Sequence, residues 1–259
     1  MKKRNSIQIF LAVVNALVLR ELSMRFSSGR MGLFWTFFEP FLQVIVLILI
    51  KLLLFGDAEV GFDFVVFLTL NFIAFNLFKN IVMKSINAFQ ANKPLFVYKQ
   101  VKPIDTIISR ILVEIFITSI IIIMFLIIGF YFEFSIEMKN LPMVTFGFVY
   151  LILFAFGFAL FFAILNSYVE SIGKLMGFFM TALMFGSAVF YTIDMIPMEF
   201  QSIVLYNPLT HFMEIIHGYC FFALDDRYVD YQYILLWTMT LMLIGFWLYI
   251  KLEQRLISK

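Results

Sequence analysis

The chain has 259 residues, of which 63% are hydrophobic and only 14% charged, with a mean hydropathy of +0.98. Soluble domains run about 45–50% apolar and about 25% charged, so this composition excludes a soluble fold and leaves no room for a separate soluble catalytic domain. The formal net charge of +2 gives no sign of a nucleic-acid partner, and the lone Cys220 excludes an intrachain disulfide.

The apolar runs are long and unalternating. Backbone polar groups in lipid must pair internally, and barrel strands would alternate in polarity over about 10 residues, so the chain reads as all-α. At its start, Lys2, Lys3 and Arg4 precede an apolar stretch. Arg20 and Glu21 follow that stretch without a small-x-small site, so it is read as uncleaved. Over residues 7–26, Ile7, Phe10, Leu11, Val14, Leu17 and Val18 share one helical face, with Gln8, Ala12, Asn15 and Ser23 opposite. That pattern predicts an amphipathic helix lying in the membrane interface, held by apolar burial and by basic residues on anionic lipid.

Six spans are expected, at about 32–55, 63–85, 105–131, 142–165, 172–192 and 231–251. Glu39-Pro40 falls in the first and Glu114 in the third. A carboxylate at that depth calls for a cavity or a cation. Arg25 or Arg30 is the candidate partner of Glu39, and Arg110, four residues earlier, that of Glu114. Between spans two and three, Phe89, Leu95, Phe96 and Tyr98 lie among lysines, with Pro94 stopping any helix there. Apolar anchors rimmed by charge suit docking onto a partner protein, or else rest on the bilayer surface. Gly173 and Gly177 open span five and permit a close helix contact.

Residues 193–230 are too apolar for a free loop, yet Pro197, Asn207-Pro208 and Gly218 break them into pieces too short to span. They read as a re-entrant helical hairpin turning at Asn207-Pro208, or as one helix lying flat. Within it, His211, Glu214, His217 and Cys220 form a wide fan that suits polar lining better than a metal site. The outer tyrosines, Tyr191, Tyr206 and Tyr219 among them, read as an interfacial belt or as a surface for stacking sugars.

Sixteen of the nineteen Lys and Arg residues fall on one side of this arrangement, and ten acids fall on the other. The positive-inside rule therefore puts both termini in the cytoplasm. The sequence contains no G-x-x-x-x-G-K-[ST], H-E-x-x-H or G-x-S-x-G motif, so any ATP consumed must be hydrolysed by another chain.

Several stretches resemble one family. Asn15-Ala-Leu-Val-Leu-Arg-Glu-Leu-Ser-Met-Arg-Phe26 and Gly32-Leu-Phe-Trp-Thr-Phe-Phe-Glu-Pro40 look like the N-terminal signature of type-2 ATP-binding-cassette exporter permeases. Tyr98-Lys-Gln-Val-Lys-Pro-Ile-Asp105 resembles the segment entering their third span, and Asn207-Pro-Leu-Thr-His-Phe-Met-Glu-Ile-Ile-His217 the segment before their last. The matches run in family order, and the capsular polysaccharide permeases of Gram-negative bacteria are the most similar. His217-Gly218 departs from the pattern, where a basic residue such as Arg is expected.

The resemblance implies a single transmembrane permease domain over 1–259. It would comprise a cytoplasmic interfacial helix (1–31), spans one to five (32–192), an outer re-entrant segment (193–230), and the last span with its tail (231–259). It further implies a multi-pass protein of the bacterial inner membrane, a homodimer, and two copies of a separate ATPase that uses the ATP and Mg, with no cofactor in this chain. Periplasmic and outer-membrane export proteins and a lipid-linked polysaccharide are the other implied partners. Arg20, Arg25, Arg30, Trp35 and Glu39 would line the cytoplasmic mouth of the pathway, with Tyr191, Tyr206 and Tyr219 at its exit. Phe89, Gln90, Lys93, Pro94, Leu95 and Tyr98 would meet the ATPase. A same-fold exporter of O-antigen, teichoic acid or a drug, and a membrane-embedded transferase, are the rival readings.

Overall fold

A computed structural model describes residues 5–27, 34, 35, 38–43, 45, 46, 49 and 61–258. The described residues from 34 to 49 are helical; the rest of the first expected span, with Arg30, lies outside the described residues. The other helices are α1 (Ser6–Ser27), α2 (Phe64–Ser85), α3 (Ala88–Asn92), α4 (Pro103–Tyr131), α5 (Leu141–Tyr168), α6 (Ser171–Phe185), α7 (Met198–Leu205), α8 (Pro208–Cys220) and α9 (Tyr231–Ser258). A 3-10 turn, Lys93–Val97, extends α3, and another, Ile193–Met195, follows α6. No strand occurs among the described residues.

Local chemistry sets the helix starts. The Asp63 carboxylate accepts from the Val65 and Val66 amides at 2.9 and 3.3 Å and caps α2. Pro103 occupies the first turn of α4, where a missing N–H costs nothing, and Asp105 accepts from the Lys102 amide at 2.9 Å. Asn140 and Asn207 cap α5 and α8 through their side-chain oxygens.

Five described helices are long and apolar enough to cross a membrane: Ser6–Phe26, Phe64–Ser85, Pro103–Tyr131, Leu141–Tyr168 and Tyr231–Ile257. The last four agree with expected spans. The first is the segment expected to lie flat, and its apolar surface does not keep to one face. Val14 and Leu17 are buried while Ile7, Phe10, Leu11 and Leu19 are exposed. Val18 and Leu22 pack against Val113 and Ile117 of α4.

Expected span five is shorter than its apolar run. Helix α6 stops at Phe185, and its end is taken over by the next segment: Asn207 donates to the Gly186 carbonyl at 2.9 Å and Thr210 to the same oxygen at 3.3 Å. Fifteen residues span about 22 Å, short of the roughly 30 Å hydrocarbon core.

The centre of the fold is α5, which packs against α2, α8 and α9. Small residues allow the approach. A Cβ on Gly157 would lie 3.0 Å from the Met242 backbone nitrogen of α9, and one on Gly147 would lie 3.0 Å from Ile215 of α8. Around these seams Phe78, Phe154 and Phe212 are fully buried, their rings in contact across α2, α5 and α8. Leu112, Phe116, Ile127 and Phe130 of α4, and Leu236, Leu243 and Ile250 of α9, face outward, as lipid-facing positions should.

Candidate functional site

Arg25, Trp35 and Glu39 share one cleft of about 370 Å³ between α2, α4 and the helix that carries Trp35. One wall is a charged cluster. Arg25 Nη2 lies 2.5 Å from Glu114 Oε1, and its Nε lies 3.7 Å from Glu21. Arg110 Nε lies 3.5 Å from Glu21, and Arg110 also donates to the Lys84 carbonyl. Glu114 therefore pairs with Arg25 across helices, and the expected partner Arg110 goes to Glu21 instead. Glu39 accepts from Gln43 at 3.3 Å, and its expected partner Arg30 lies outside the described residues. Sequence reasoning missed the opposite wall, formed by Asn76, Lys79, Asn80 and Lys84 of α2. The signal was present as polar residues spaced three, four and eight apart on an apolar helix.

Arg20 belongs elsewhere. It donates to Asn92 at 2.8 Å and borders a second groove, of about 570 Å³, shared with Leu95, Gln100 and Val101. The link between α2 and α4 is built around buried anchors. Phe89 is 4% exposed and Phe96 is 5% exposed, both inside the main apolar core, so Phe89 holds the segment in place and offers no docking surface. Leu95 is half-buried, while Gln90, Lys93, Pro94, Val97 and Tyr98 face outward, Val97 at 82% exposure. Behind the segment sits Asn166, fully buried. Its amide donates to the Ile86 carbonyl at 3.1 Å and to Asn87 Oδ1 at 2.8 Å, and its oxygen accepts from the Gly173 amide at 2.8 Å. One side chain thus joins the ends of α2 and α5 to the starts of α3 and α6. Gly177, one turn further along α6, faces open space.

Helices α7 and α8 turn at Asn207-Pro208: α7 is exposed and α8 almost wholly buried. His211 Nδ1 accepts from the Asp230 amide at 3.2 Å, which makes Nε2 the donor to the Leu205 carbonyl at 2.9 Å. His217 Nδ1 faces Asn71 Oδ1 at 3.3 Å, and its Nε2 is 3.1 Å from Glu214. No three potential metal ligands converge among the described residues. At the sequence departure His217-Gly218, a Cβ on Gly218 would lie 2.7 Å from the Asp225 carbonyl oxygen, so a side chain there is excluded by packing.

The three outer tyrosines are differently placed. Tyr206 is 76% exposed, the Tyr191 hydroxyl donates to the Phe185 carbonyl at 2.9 Å, and the Tyr219 hydroxyl donates to Asp226 at 2.6 Å. In the neighbouring loop the Tyr219 hydroxyl holds the Asp226 carboxyl below the ordinary carboxylate range, and the Arg227 guanidinium does the same for Asp194.

A family model described as ABC-2 type transporter matches residues 12–221. The chain is 30% identical over 255 residues to the polysialic acid transport protein KpsM of Escherichia coli, covering 98% of this chain and 99% of that one. It is 26% identical to the capsule polysaccharide export inner-membrane protein BexB of Haemophilus influenzae, over 88% of this chain and 85% of that one. It is also 26% identical to the capsule polysaccharide export inner-membrane protein CtrC of Neisseria meningitidis, over 93% of this chain and 91% of that one. With some four-fifths of its length inside the family model and its long apolar helices packed around one core, the chain belongs to the ABC-2 type transporter family.

Proposed function

We propose that this chain is the permease subunit of an ATP-driven exporter that moves a lipid-linked capsular polysaccharide across the inner membrane. One observation carries the reading: similarity to a polysialic acid transport protein runs end to end, over 98% of this chain and 99% of that relative. The chain works as a homodimer, with the open Gly177 face of α6 at or near the seam. Each copy docks on a separate ATPase through Gln90, Lys93, Pro94, Val97 and Tyr98, and periplasmic and outer-membrane export proteins take the polymer onward. In the bilayer both termini are cytoplasmic. Residues 32–55 form the first of six spans, α6 with the residues after it the fifth, α1 lies along the cytoplasmic interface, and α7 and α8 form the re-entrant outer hairpin. The excess of Lys and Arg on one side of the sequence supports this orientation.

An O-antigen cargo is the second reading. It is favoured by 25% identity to the O-antigen export system permease protein RfbA of Klebsiella pneumoniae, but over only 73% of either chain. The test is deletion of the gene in its host, with plasmid complementation, and immunogold localisation of surface polysaccharide. Polymer trapped in the cytoplasm and released by complementation is the expected result. Polymer still reaching the surface overturns the capsule reading, and its loss from every compartment points to synthesis instead.

A further inference from the structure

Helix α2 is apolar along most of its length, yet its last three turns put Asn76, Lys79, Asn80 and Lys84 on the wall of one cleft. Glu114 is neutralised by Arg25, whereas the Glu39 carboxylate takes a hydrogen bond from the neutral Gln43 amide and keeps its charge. Among the described residues, no hydrogen bond or ion pair engages the ammonium of Lys79 or Lys84. The Arg25 guanidinium is thus committed to the protein, and the two lysines outnumber the one remaining carboxylate, Glu39, which leaves the cleft net positive.

The cleft is also two-sided. Beyond the polar wall it is lined by Ile73, Ile117 and Ile121, which suit an acyl chain better than an aqueous ion. Between the two zones stand Trp35, an exposed aromatic face, and the amides of Gln43 and Asn76, which suit a sugar ring and its hydroxyls.

We propose that this cleft binds the phosphate at the sugar–lipid junction of an anionic glycolipid, with Lys79 and Lys84 as its counter-cations and the isoleucines along its chain. The proposal rests on the export reading above, because it places that cargo's lipid end. Arg25 is a positioning residue here: it holds Glu114.

The test uses the full-length protein in phosphatidylcholine nanodiscs, with Trp237→Phe and Trp247→Phe leaving Trp35 as its only tryptophan. Trp35 fluorescence is followed while lysophosphatidylglycerol, lysophosphatidylcholine of the same chain length, or inorganic phosphate is added. Lysophosphatidylglycerol is expected to produce a saturable change, and lysophosphatidylcholine none. Lys79→Gln with Lys84→Gln should raise Kd about 25-fold, at about fivefold for each cation near a lipid surface. Lys79→Arg with Lys84→Arg should restore binding, which separates lost charge from misfolding. Equal responses to the two lysolipids, or an unchanged Kd in the glutamine variant, overturn the proposal. Inorganic phosphate binding as tightly as lysophosphatidylglycerol overturns its lipid part. The same glutamine variant in the host should trap polymer in the cytoplasm, and normal export by that variant overturns the site alone. Polymer reaching the surface without the gene overturns the export reading and leaves the binding result standing.

Discussion

Replacing Glu114 by alanine removes the carboxylate that faces the Arg25 guanidinium at 2.5 Å. The Glu114 side chain is 2% exposed and that of Arg25 14%, so solvent cannot replace the lost partner. An exposed ion pair contributes about 0–1 kcal/mol, whereas breaking a buried one costs about 3–5 kcal/mol, because a charge is left uncompensated. Arg25 keeps Glu21 at 3.7 Å, which places the expected loss near the lower end, about 3 kcal/mol. Changing both partners to apolar residues of similar volume, Arg25→Met with Glu114→Leu, should recover most of that loss, since both desolvation costs disappear together. Unfolding in mixed micelles of dodecyl sulfate measures each variant. A loss under about 1 kcal/mol for Glu114→Ala would place the pair with exposed ones and refute its role as the joint between α1 and α4. A double variant no more stable than the single would refute the desolvation argument.

Four further outcomes are expected. Gly157→Ala should destabilise the protein by about 1–3 kcal/mol, because its Cβ meets the α9 backbone at 3.0 Å; the same micelle assay reads it. Val97→Asp with Tyr98→Asp should abolish co-purification of the ATPase with unchanged yield, whereas Phe89→Asp should lower the yield itself, because that ring lies in the core. Arg227→Ala should raise the titration midpoint of Asp194, read by carboxyl carbon NMR. With Arg227 present, the folded-state value lies below the ordinary one, so the pair's stabilisation is fully present above about pH 4 and fades as pH falls through the depressed value. Cys220 is buried and free, so maleimide should label the native protein slowly and the detergent-unfolded protein fast, while Tyr206→Cys should label at once.

The long helices were legible because their limits are written locally. Pro103 with Asp105 starts α4, Asp63 starts α2, and the apolar runs between have the length of a bilayer. Where the sequence misled, the deciding partner was distant. Helix α6 ends early because Asn207 and Thr210, more than twenty residues later, take its Gly186 carbonyl. Same-helix spacing points Glu114 at Arg110, but Arg25, 89 residues earlier, reaches it. Periodicity shows which residues share a face and is silent about what stands opposite, so the spacing of Lys79 and Lys84 does not reveal the wall of a cleft. Phe89 reads as surface because an aromatic among polar residues looks the same in sequence whether it points out or anchors its segment from within, as it does here.

Asn166 has a mechanical consequence. With one amide it grips four helix ends behind the segment that would meet a motor protein, through one buried and two part-buried hydrogen bonds. In the proposed coupling, a push on α3 would reach the α5–α6 elbow through these bonds, beside the wall that borders the proposed seam. In that coupling the joint would act as a short crank, and Asn166→Ala would leave the two ends of the linkage intact but slack.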